Sequence, residues 1–81
     1  MLSLANISPG ETVTVAEITG DDSISARLLE MGIIDGEQIT LVGRAPMGDP
    51  LEISLRGYRL SLRSAEAERV LVANDAGNGN G

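Results

Sequence analysis

Leu51-Glu52-Ile53-Ser54-Leu55, Arg56-Gly57, Tyr58-Arg59-Leu60-Ser61-Leu62 is two alternating runs joined by a short break. Leu51, Ile53 and Leu55 alternate with Glu52 and Ser54. Tyr58, Leu60 and Leu62 alternate with Arg59, Ser61 and Arg63. A period of two places each apolar set on one face of a strand. Arg56-Gly57 between them predicts a hairpin, though Arg-Gly is a weaker turn signal than Asn-Gly. If Tyr58, Leu60 and Leu62 face inward, Arg59 and Arg63 share the outer face, with Arg56 close by.

The pattern extends upstream. Ser8-Pro9-Gly10 is a turn, and Thr12 to Ile18 is a β-branched strand with Val13 and Val15 on one face. Its alternation slips at Ala16-Glu17-Ile18, where a bulge fits. Gly20-Asp21-Asp22-Ser23 breaks the strand and offers N-caps. A helix follows over about Ser23 to Met31, with Ile24, Leu28 and Met31 on one stripe and Gly32 at its end. Asp35-Gly36 turns the chain into a second strand over Glu37 to Gly43. Pro46 and Pro50 make 44–50 a loop. Ser64 caps a single helical turn, and Val70-Leu71-Val72 closes the domain. Leu2 and Leu4 suit a short edge strand or a packed lead-in. The reading is one domain over 1–73 and a flexible tail over 74–81, NDAGNGNG. It is all-β, with about five strands and one short inserted helix, and strands so closely spaced suit a small barrel.

Composition excludes many functions. The chain has 81 residues, 42% of them hydrophobic, and Tyr58 is the sole aromatic. Single-stranded nucleic acids and proline-rich peptides are gripped by aromatic surfaces that one tyrosine cannot build. Twelve acidic residues against six basic ones give a net charge of −6, which repels nucleic-acid phosphates. A basic patch on another protein is a better match. There is no Cys, His or Lys, so the usual nucleophile–base pairs, Schiff bases and nitrogen or sulfur metal sites are missing. The chain is read as a non-enzyme. No apolar run nears the ~20 residues of a membrane span. The N-terminus lacks the marks of a signal peptide, so a cytoplasmic location is expected.

The remaining candidates each have two readings. Asp21, Asp22, Asp35, Glu37 and Asp49 could hold a divalent cation weakly. The favoured reading is that Asp21 and Asp22 cap the helix and Asp49 braces a turn. Met47, beside Gly48 in the Pro-bounded loop, could project as an adaptable apolar contact. Leu29 lies about 140° from Ile24 around the helix, off the stripe. It is a lone exposed leucine, packs on the second strand, or belongs to a docking patch. Arg59 and Arg63 either neutralise Glu52 or offer a small positive spot for a partner carboxylate.

In order along the chain, these residues resemble the FeoA family. The matching features are Arg27-Leu28-Leu29-Glu30-Met31-Gly32, Gly36, Pro46-Met47-Gly48-Asp49-Pro50, Leu62-Arg63 with Ala67, and Val70-Leu71-Val72. The resemblance covers roughly residues 4 to 73. It implies an SH3-like barrel, and a cytoplasmic accessory role beside the FeoB-type ferrous iron transporter, docking on its GTP-binding part. It leaves open weak Fe2+ or other divalent metal binding, as in a metal-responsive domain of the kind that ends DtxR-type repressors. The partner-binding candidates are Arg27, Leu29, Met47, Gly48, Asp49, Arg59 and Arg63.

Overall fold

The computed structural model describes residues 2–74. Six strands form one antiparallel sheet: β1 (Leu2–Ser3), β2 (Thr12–Ile18), β3 (Gln38–Arg44), β4 (Leu51–Leu55), β5 (Tyr58–Leu62) and β6 (Val70–Asn74). Their spatial order is β1-β6-β2-β3-β4-β5, so β1 and β5 are the two edges. Helix α1 (Ser23–Glu30) connects β2 to β3, and the single turn α2 (Ser64–Ala67) connects β5 to β6.

The strands follow from alternation. Val13, Val15, Ile39, Leu41, Leu51, Ile53, Leu55 and Leu62 are all buried, and α1 adds Leu28 to the same cluster. Each fully buried leucine or isoleucine stabilises the fold by about 1.5–3 kcal/mol. The outer face is polar, and the Thr12 and Thr40 hydroxyls lie 2.7 Å apart across the β2–β3 pair. A register shift between Val15 and Glu17 is the bulge expected at that point. A second one falls between Leu41 and Gly43.

The described residues hold six strands where about five were expected: of the two readings of Leu2 and Leu4, Leu2–Ser3 is the short edge strand, paired with β6 before Leu4–Asn6 coils into a 3-10 turn. Four expectations need correction. The second strand runs one residue later at each end than expected, over Gln38–Arg44. Helix α1 stops at Glu30, with Met31 as its C-cap and Gly32 at φ 94°. Ser64 is not the cap of α2. Arg63 holds that position, and the Glu66 carboxylate three residues on takes the Arg63 N–H at 2.9 Å. Asn74, expected in the tail, pairs with Val13 in β6; the rest of that expected tail lies outside the described residues.

Three hydrogen-bonded clamps fix the layers. Arg44 Nη2 donates to the carbonyls of Ala5 (2.6 Å) and Ile7 (3.1 Å), tying the 3-10 turn to β3. Asp22 caps α1 by accepting the Ser25 N–H, and Arg69 at the foot of β6 grips both its oxygens at 3.0 and 2.9 Å. The Arg69 hydrogen bonds and the Ser25 N–H lower the Asp22 pKa from 3.8 to about 2. Asp49 Oδ1 accepts the Ser64 N–H at 2.9 Å while Ser64 Oγ donates to Gly48 O, which ties the β3–β4 loop to α2.

Candidate functional site

The third clamp builds a corner of the molecule. Ser64, the first residue of α2, receives Asp49 from a loop fifteen residues away in sequence. Glu66, buried at 5% exposure, takes the Arg63 N–H with Oε1 and lies 3.3 Å from Arg27 Nη1 through Oε2. A cavity of about 320 Å³ opens here between α1, the loop and the end of β5. Arg27, Asp49, Arg63 and Glu66 border it, over a floor of Leu62. Two guanidinium groups and two carboxylates make it polar and nearly neutral in a chain of net charge −6.

Three of the predicted site residues therefore meet at this cavity: Arg27, Asp49 and Arg63. Gly48 is joined to them through its carbonyl bond to Ser64. Met47, next on the loop, is 92% exposed, with its thioether in solvent. Arg59 stands earlier on β5, with Nη1 3.4 Å from Glu52 Oε2 across the hairpin. Arg63 stands just past the end of β5, as the extended N-cap residue of α2. Leu29 is 52% exposed. Two positions from Arg27, it lies about 200° from it around α1, on the opposite flank from the cavity.

Among the described residues, Arg63 is the one arginine whose guanidinium makes no hydrogen bond or ion pair. Arg27, Arg56 and Arg59 face Glu66, Glu37 and Glu52, while Arg44 and Arg69 hold the clamps. Tyr58 is 47% exposed. Its hydroxyl lies 3.4 Å from where a Cβ on Gly32 would stand, so the ring leans on the end of α1. Sequence reasoning missed Ser61 and Glu66. Glu66, three residues after Arg63, carried a capping signal that the unusual cap residue obscured. The carboxylates weighed as metal ligands do not converge. Asp22 is held by Arg69, Asp49 by Ser64 and Glu37 by Arg56. Among the described residues no three His, Cys, Asp or Glu side chains stand together as a metal site would need.

A family model for the FeoA domain matches residues 2–74. The chain belongs to the FeoA family. It is similar to the Fe(2+) transport protein A/Fe(2+) transporter FeoB fusion protein of Porphyromonas gingivalis, at 31% identity over 71 residues. That match covers 88% of this chain and spans 8% of the fusion protein's length. Among solved structures, the FeoA-like protein from Clostridium acetobutylicum superposes with a TM-score of 0.85 at 38% identity, covering 90% of this chain and 85% of that one. Stenotrophomonas maltophilia FeoA complexed with zinc, described as a procaryotic SH3 domain protein, gives 0.79 at 30% identity, covering 90% and 91%. The SH3-like fold implied by the sequence is thus the observed one. The FeoA family is one of small accessory proteins of ferrous iron transport. No helix among the described residues is long and apolar enough to cross a membrane.

Proposed function

We propose that this FeoA-family protein docks on the cytoplasmic GTP-binding part of a FeoB-type transporter and modulates Fe2+ transport without catalysing a reaction itself. The observation that carries this reading is the resemblance to the Porphyromonas gingivalis fusion protein, in which transport protein A and the transporter FeoB share one polypeptide. Tethering raises the effective concentration of one module at the other, which serves modules that work in contact. The reading places this protein in the cytoplasm.

The docking surface would draw on Arg27, Asp49 and Arg63 at the corner cavity, with Met47 on the neighbouring loop. Leu29 offers a second apolar contact on the far flank of α1. Purified protein and the transporter's cytoplasmic domain should associate, and Leu29→Asp or Met47→Asp should weaken the complex in a protein that stays folded. Both side chains are exposed, so neither change should unfold it. Absence of binding at tens of micromolar, with folding confirmed, would refute the reading.

A further inference from the structure

Edge strand β5 carries an unused half of its hydrogen-bonding capacity. Arg56 (φ 53°) and Gly57 (φ 88°) both occupy the left-handed region, the signature of a two-residue type I′ hairpin. In such a hairpin the flanking residues, Leu55 and Tyr58, form a hydrogen-bonded pair. By alternation Ile53 with Leu60 and Leu51 with Leu62 are the next two. Arg59 and Ser61 therefore turn their backbone N–H and C=O away from β4. Among the described residues no strand lies beyond β5, which ends the sheet order. Among the described residues neither backbone makes a bond to any other element.

The side chains around this edge define what could pair with it. On one face stand Tyr58, half-exposed and with its hydroxyl against Gly32 just past α1, and Leu60, partly buried. On the other stands Arg59, 64% exposed and held only by a half-exposed Glu52. Such a surface pair contributes about 0–1 kcal/mol and is easily exchanged for another carboxylate. The strand then runs into the corner cavity, whose walls include Ser61, Arg27 and the unpartnered Arg63.

We infer that β5 is a site for strand addition, taking an extended segment of a partner protein in which apolar residues alternate with acidic ones. The segment's backbone would bond Arg59 and Ser61. Its apolar side chains would cover Tyr58 and Leu60, and its carboxylates would meet Arg59 and, at the cavity, Arg63. A second copy of this chain fits poorly. β5 is flanked or occupied by Arg56, Arg59 and Arg63, and antiparallel self-pairing brings those charges together. The inference rests on the docking reading only for which protein supplies the segment.

The probe is a capped peptide of about nine residues alternating valine with glutamate, titrated into the labelled protein and followed by NMR. The largest amide shifts should fall at Arg59 and Ser61, should shrink with added salt, and should be missing with the valine–lysine analogue. Ser61→Pro removes one outward donor at an edge position where proline is tolerated. It should keep the thermal transition and weaken peptide binding about tenfold or more. Arg63→Glu, at an exposed side chain with no partner among the described residues, should weaken the glutamate peptide and favour the lysine one. No shift at millimolar peptide, shifts centred elsewhere, or unchanged binding by both variants would overturn the inference. The transporter's cytoplasmic domain separates the two proposals. If it binds Ser61→Pro as tightly as wild type, the edge is wrong and the docking reading stands. If it does not bind wild type, the docking reading falls and the peptide titration decides the edge alone.

Discussion

Edge strand β1 is two residues long and its Ser3 N–H is taken by Asn6 Oδ1 at 3.1 Å, whereas edge strand β5 is five residues long and leaves Arg59 and Ser61 facing outward. Both edges pose the same hazard, since an unpaired strand is a template for any other chain. The first is blunted by brevity and by a side chain from its own next turn. The second is guarded only by arginines, which repel a like-charged strand and admit an acidic one. An edge kept long and unpaired in so small a sheet is where a partner's strand can add.

The comparison can be broken most strongly through the core. Leu62→Ala removes a fully buried side chain from β5 and should cost about 2–5 kcal/mol in denaturant unfolding. Leu2→Ala on β1, where the side chain is 43% exposed, should cost less than about 1 kcal/mol. Equal losses would mean that the two edges are anchored alike.

The turn comes next. Gly57 sits at φ 88°, where an L-residue costs roughly 1–2 kcal/mol. Gly57→Ala should lower stability by that amount, and a neutral result would dispute the I′ hairpin that sets which β5 amides point outward. Asn6→Ala should have a smaller effect, about 1 kcal/mol, by leaving the Ser3 N–H without its acceptor. Hydrogen exchange at Ser3 should then quicken and approach that at Arg59. Unchanged exchange would show that the side chain is not what closes the β1 edge.

The smallest effect at neutral pH belongs to Asp22, away from both edges. Its folded-state pKa, about 2, lies below the ordinary 3.8. The stabilisation from Arg69 and the Ser25 amide is therefore complete above pH 3.8 and is lost as pH falls toward about 2. Carboxyl NMR should follow that titration, and in Arg69→Gln the pKa should move back toward 3.8. A midpoint unmoved by that change would mean that the Arg69 contact is not what holds the carboxylate charged.

Much of the fold was legible because two-residue alternation states which face is buried. Thr12–Ile18 and Leu51–Leu55 follow directly from it, as does the bulge after Val15. Alternation gives the face and not the cover: Tyr58 pairs with buried Leu55, but it lies on the sheet's last strand, with its hydroxyl against the end of α1, and is 47% exposed. The site was harder to see. Arg27, Asp49 and Arg63 were each noticed singly, but their meeting depends on a bond from Asp49 to the first amide of α2, which no local pattern encodes. Leu29 stood out by its helical angle, and that same angle separates it from Arg27. Ser61 is an ordinary strand serine in sequence, and its interest comes from the position of β5 in the sheet.

Whether β5 is the open edge a partner uses can be read from hydrogen exchange in the complex with the transporter's cytoplasmic domain. Arg59 and Ser61 should exchange fast in the free protein and slow strongly on binding, with Leu2 and Ser3 unchanged. Bound protein in which Arg59 and Ser61 still exchange as fast as in the free state, with slowing confined to other elements, would contradict that use of β5.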